Sequence, residues 1–107
     1  MQDEELALMM RALGHPVRLS ILRILAKRSQ NCCCADVTQS LPLAQSTVSQ
    51  HIKVLFNAGL IECKVKGTRN CYVVVPEKLA AIESAWCGLA AGLCGSNEET
   101  AATDSSG

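Results

Sequence analysis

Aromatic residues are almost missing from this chain. Phe56, Tyr72 and Trp86 are the only three in 107 residues, so any core has to be built from aliphatic side chains. Long apolar runs are missing too. None approaches the roughly 20 residues of a bilayer-spanning helix, and the acidic opening MQDEEL lacks the basic segment of a secretory signal. A soluble, cytoplasmic protein with no membrane partner is expected. No nucleophile stands at recognisable spacing from a base, and Gly67 alone is no phosphate-binding loop, which argues against an enzyme. Disorder is excluded by composition, because hydrophobic residues make up 49% and charged residues only 19%. Such a length allows one small domain.

Net charge is zero, yet the two signs are segregated. All ten basic residues lie between Arg11 and Lys78, where only Asp36, Glu62 and Glu77 oppose them, a local net of +7. The other acids sit at the front (Asp3, Glu4, Glu5) and at the back (Glu83, Glu98, Glu99, Asp104). A basic middle between acidic ends suits a polyanionic partner. Between residues 41 and 61 there is no acid at all.

Hydrophobic periodicity divides the chain into elements. Residues 3–13 read as a helix, with Asp3, Glu4 and Glu5 at the positive end of its dipole and Leu6, Met9, Met10 and Leu13 on one stripe. Gly14 breaks it, and His15-Pro16 opens a second helix that buries Val17, Ile21, Leu22, Ile24 and Leu25 and turns Arg18, Arg23, Lys27 and Arg28 outward. Residues 29–31 read as a loop. A short third helix starts at Cys33 or Cys34 and ends near Leu41, ahead of Pro42. Residues 44–58 form a fourth, with Val48, Ile52 and Leu55 inward and Gly59 as a left-handed stop. LIECKVKGTRNCYVVV alternates at period two around Lys66-Gly67-Thr68-Arg69 and reads as a β-hairpin with a basic tip. A last helix covers about residues 77–93, with Ile82, Trp86, Leu89 and Leu93 on one stripe. Residues 1–95 make the domain, and residues 96–107 are expected to be a flexible tail.

This order is that of a winged helix-turn-helix: mainly α with one small hairpin, α1-α2-α3-α4-β1-β2-α5, the first and last helices leaving apolar stripes for a homodimer. Opposite its inner face the fourth helix carries Gln45, Ser46, Thr47, Ser49, Gln50 and Lys53. Amides pair with adenine, hydroxyls with phosphates or bases, and a lysine with phosphate or guanine. An acid there would be repelled by DNA phosphates. The candidate partner is double-stranded DNA, contacted by this face and by Lys66 and Arg69 at the hairpin tip. A merely solvated polar face is the alternative. His51 is read either as a phosphate contact or as a helix-packing residue, His15 as a helix-start residue, and Trp86 as a packing anchor.

LGHPVRLSILRIL followed by LPLAQSTVSQHIKVLFNAGLIECKVKGTRNCYVV resembles the ArsR/SmtB family of metal- and metalloid-responsive repressors. The resemblance covers roughly residues 6–94, and STVSQHIKVLFNAGLI is its most specific part. It implies a homodimer whose first and last helices pack together, with the fourth helix in the major groove and the hairpin tip beside the minor groove of an inverted-repeat operator. It also implies that an inducer releases the DNA.

Seven cysteines in a chain of this type favour thiol or metal chemistry over a disulfide framework. Cys32, Cys33 and Cys34 are adjacent at a helix start, where thiolates are favoured and take As(III), Cd(II) or Zn(II). No constitutive cofactor is expected; As(III), or else a thiophilic divalent metal, is the expected inducer. The alternative is a redox or persulfide sensor of the same fold whose vicinal thiols are oxidised to a disulfide or polysulfide. The family's third-helix pattern Cys-x-Cys-Asp-x-x-Cys places its first cysteine on Cys33 and its aspartate on Asp36, but its second cysteine on Ala35. The ligand set therefore has to include Cys32, Cys34 or a thiol from elsewhere, with Cys71 a possible third ligand. The family's zinc site on the last helix needs histidines, and this chain has none after His51. Counted from Gly67, Cys63 and Cys71 are each four residues away and are expected to face one another on the apolar side of the hairpin, as core packing, as a metal ligand or as a redox pair. Cys87 and Cys94, about 10 Å apart along a helix, read as buried apolar residues.

Overall fold

Seven elements follow one another in the computed structural model, which describes residues 1–28 and 34–95. They are α1 (Asp3–Leu13), α2 (Pro16–Arg28), α3 (Cys34–Gln39), α4 (Gln45–Asn57), β1 (Ile61–Lys66), β2 (Arg69–Val74) and α5 (Pro76–Gly95). Element types and order are those expected of a winged helix-turn-helix, and no described helix is long and apolar enough to cross a membrane. The expected tail, residues 96–107, lies outside the described residues, as do Cys32 and Cys33.

Each helix end has a local cause. The acidic first turn of α1 and Arg11 in its last turn both complement the dipole. At the start of α2 the His15 side chain acts as a cap, its Nδ1 accepting the Val17 N–H at 3.1 Å. α3 stops at Gln39, two residues short of expectation. There the Ser40 and Leu41 N–H groups donate to the carbonyls of Val37 and Thr38, tightening the chain into a turn ahead of Pro42. α4 ends in a Schellman motif: Gly59 sits at φ 83°, its N–H donates to Phe56 and the Leu60 N–H to Leu55. Leu55 and Leu60 are both fully buried, so this closure is also a core contact.

The core is aliphatic, as the shortage of aromatics requires. Ile21 and Leu25 of α2, Val37 of α3, Val48 and Leu55 of α4, and Leu60 and Ile61 at the start of the hairpin are all buried. Leu6, Met9 and Ala12 close it from α1, and Ile82 from α5. Arg18 departs from the expected outward position. It folds back over the C-terminus of α1, its Nε donating to Ala12 O at 2.6 Å and its Nη2 to Arg11 O at 3.3 Å.

β1 and β2 pair antiparallel around a two-residue loop that Gly67 opens at φ 65°. The loop is centred between Gly67 and Thr68, not on Gly67. This half-residue difference shifts the register by one, so Cys63 pairs with Tyr72 and Lys64 with Cys71. The two thiols therefore lie on opposite faces, which removes the expected facing pair and any disulfide between them. Cys71 is buried and Cys63 half-buried.

α5 packs on α1, where Lys78 Nζ stands 3.8 Å from Glu5 Oε2. Beyond Ile82 its large apolar side chains are left uncovered: Trp86, Leu89 and Leu93 are exposed. Cys87 and Cys94, expected to be buried, are exposed as well.

Candidate nucleic-acid interface

α3 and α4 pack against each other across a short turn, and Val37 and Val48 are both fully buried in the core. With Val48, Ile52 and Leu55 turned inward, helical geometry decides what α4 presents to solvent. Gln45, Ser46, Ser49, Gln50 and Lys53 are exposed, at spacings that form one continuous stripe. The first turn of α4 holds no acid, and Ala44 ahead of it offers no side-chain cap. Backbone N–H donors therefore add to the polar character of this end.

Thr47 and His51 stand apart from that stripe. Both are half-buried, one turn from each other on the flank of α4 that faces the start of α2. His51 Nδ1 is 3.4 Å from Arg18 Nη1, and its ring lies against His15 with centroids 4.5 Å apart and planes tilted by 52°. Arginine offers only donors, so Nδ1 accepts and the neutral ring carries its proton on Nε2. Burial, and next the neighbouring His15 and Arg18, hold the His51 pKa below the ordinary histidine value.

On the wing, Lys64, Lys66 and Arg69 are exposed. Arg69 Nη2 makes an ion pair at 3.2 Å with Asp36 Oδ2, which ties the hairpin tip to α3. The Ser40 hydroxyl donates to the Asp36 carbonyl at 3.2 Å, fastening the same turn of α3. The sequence marks Asp36 as a matched position of the family's third-helix pattern but not as the partner of Arg69. The two are 33 residues apart, and nothing local signals the contact. The folding-back of Arg18 does have a signal, a cation two residues into a helix that starts immediately after the negative end of another.

The cysteines are distributed as follows. Cys34 opens α3, and Cys71 is buried in β2, which packs on α2 and α3. Among the described residues no group of three or more His, Cys, Asp or Glu side chains could hold a metal ion.

Comparison with known proteins agrees with this geometry. Residues 15–62 match the family described as bacterial regulatory protein, arsR family. The arsenical resistance operon repressor of Bacillus subtilis is 35% identical over 74 residues, 69% of this chain and 70% of that protein. Among solved structures, an ArsR-like transcriptional regulator from Rhodococcus sp. RHA1 superposes with a TM-score of 0.77 at 22% identity, covering 95% of this chain and 92% of that one. The homodimeric winged helix-turn-helix DNA-binding domain of a possible ArsR-family regulator from Mycobacterium bovis gives 0.65 at 24% identity, covering 84% and 87%.

Proposed function

This chain belongs to the arsR family of bacterial regulatory proteins, DNA-binding transcription regulators and not enzymes, and from that premise we propose how it binds its operator and what releases it. The protein acts as a homodimeric repressor on an inverted-repeat operator. The exposed stripe of α4 enters the major groove, with Gln45 and Gln50 on base edges and Ser46, Ser49 and Lys53 on bases or phosphates. Lys66 and Arg69 reach the backbone beside the minor groove. Thr47 and His51 act from the flank, Thr47 near the backbone and His51 by fixing α4 against Arg18. The single observation behind this reading is the acid-free exposed stripe on a helix otherwise locked into the core.

The inducer is a thiophilic ion, arsenite first and a soft divalent metal second, bound by thiolates of Cys32, Cys33 and Cys34. Soft thiolate donors match As(III), and the Bacillus subtilis relative is named an arsenical resistance operon repressor. Cys71, buried on the strand that packs against α3, is the candidate further ligand. α3 packs on α4, and its Asp36 holds Arg69, so a ligand that repositions α3 acts on both DNA-contacting elements. A release of about 10²-fold requires close to 3 kcal/mol of coupling, the upper end of usual allosteric energies.

Mobility-shift titration on promoter DNA tests both halves. Alanine at Gln45, Ser46 and Gln50 together should abolish operator binding; unchanged occupancy would overturn the α4 assignment. Arsenite should release wild-type protein but not Cys33→Ser or Cys34→Ser. If arsenite, Cd(II) and Zn(II) all leave the complex intact while persulfide adds mass and releases DNA, the signal is thiol oxidation instead.

A further inference from the structure

We propose that the cleft between α4 and the wing is a second small-molecule site, that it takes an aromatic carboxylate, and that its occupancy excludes DNA. The exclusion rests on the DNA-binding reading of α4 given above; the site itself does not. The cleft has a volume of about 340 Å³, lined by Ser49, Ile52, Lys53, Phe56, Cys63 and Tyr72. That volume lies at the lower end of the range of small-ligand pockets.

Its chemistry selects the ligand. The lining includes the buried Ile52 and two of the chain's three aromatic residues, Phe56 and Tyr72. Phe56 is 46% exposed, a large apolar surface that the chain's own core does not use. A flat apolar body suits a lining that offers two aromatic side chains and an isoleucine. Among the described residues Lys53 supplies the only charge in the lining, with no acidic side chain beside it there, so an anion is preferred over a cation. Ser49 and Lys53 also belong to the stripe assigned to DNA. A carboxylate on Lys53 and a phosphate on Lys53 are therefore mutually exclusive, and a ring lodged between α4 and the wing blocks the approach of the duplex to both.

Cys63 provides a readout independent of DNA. It is half-buried, lines the cleft and pairs directly with Tyr72, whereas Cys87 and Cys94 are exposed on α5 and serve as references in the same sample. With naphthalene-2-carboxylate as probe, iodoacetamide labelling of Cys63 in the full-length protein, followed by peptide mass spectrometry, should slow saturably. At about four times the probe's Kd the rate should fall about fivefold, because only the empty fraction reacts. Cys87 and Cys94 should label at unchanged rates. Phe56→Ala should raise the required concentration about tenfold, the loss of one aromatic contact, and the neutral carboxamide analogue should protect less than the acid. In mobility shifts the probe should displace operator DNA from the wild type at lower concentration than from Phe56→Ala. Absence of saturable protection, or equal protection by the carboxamide, overturns the site. Protection that leaves DNA affinity unchanged overturns the exclusion. Failure to bind DNA without any probe counts instead against the α4 assignment, while the labelling result still decides the cleft.

Discussion

His51 joins α4 to the start of α2 through a hydrogen bond that exists only while its ring is neutral. In the folded chain it takes up a proton at lower pH than in the unfolded chain. Between those two values the unfolded state binds more protons, so stability is full above the ordinary histidine range and declines as pH falls through it. Urea midpoints measured from about pH 7.5 down to about pH 5.5 should therefore fall in the wild type and fall less in His51→Gln. A midpoint independent of pH would remove this role. Gly59 is a sharper case. At φ 83° a side chain is strained, so Gly59→Ala should lose more than about 1 kcal/mol in thermal unfolding although a Cβ there would meet only the flexible end of Lys78. Cys63 and Cys71 show where residue-level reading fails. Period-two alternation gives each strand's faces, but which residue faces which depends on the loop's centre. A two-residue loop and a loop centred on one glycine differ by one register step, enough to part the thiols.

The elements themselves were legible because each is bounded by a residue with a physical reason to stop the chain: Gly14 after α1, Pro42 after α3, Gly59 after α4, Gly67 at the hairpin tip. The exposed stripe of α4 is likewise readable, since burying Val48, Ile52 and Leu55 fixes by helical geometry what faces out. Contacts between elements were not readable, and the Asp36–Arg69 ion pair is the clearest case. Both side chains are partly solvated (20% and 55% exposed), so the pair contributes little to stability, about 0–1 kcal/mol. Asp36→Asn should leave the unfolding midpoint nearly unchanged. It removes a carboxylate from the tip, however, so affinity for DNA should rise severalfold at low salt and the gain should fade as salt is raised. Arg69→Ala should act in the opposite sense, weakening binding across sequences and lowering the salt slope by about 1 for each subunit engaged, about 2 for a dimer on both half-sites. If Asp36→Asn weakens binding instead, the ion pair holds the wing in its binding position. Titrating both variants over a salt series separates the two.

At the scale of the molecule, two features left unsatisfied in one chain point to the same assembly. Trp86, Leu89 and Leu93 expose an apolar stripe on α5, and Leu8 is exposed on α1, the helix against which α5 packs. A second copy covers such a surface most simply, and pairing through it also duplicates the basic wing and the α4 stripe about a two-fold axis. Lys53, Lys64, Lys66 and Arg69 then offer up to four phosphate contacts per subunit. With both half-sites engaged, log K should fall against log salt with a slope approaching about −7, and with one half-site about half that. Leu89→Glu separates assembly from folding, because Leu89 is 44% exposed in the single chain and a carboxylate there is costly only when a partner buries it. Sedimentation should show a monomer with unchanged circular dichroism. Operator affinity should drop by at least about a hundredfold, as binding falls back toward the non-specific level, and the salt slope should halve. A variant that stays dimeric would place the interface elsewhere. A monomer that retains the full slope would mean that one subunit makes all the phosphate contacts, and the two-fold arrangement on DNA would have to be abandoned.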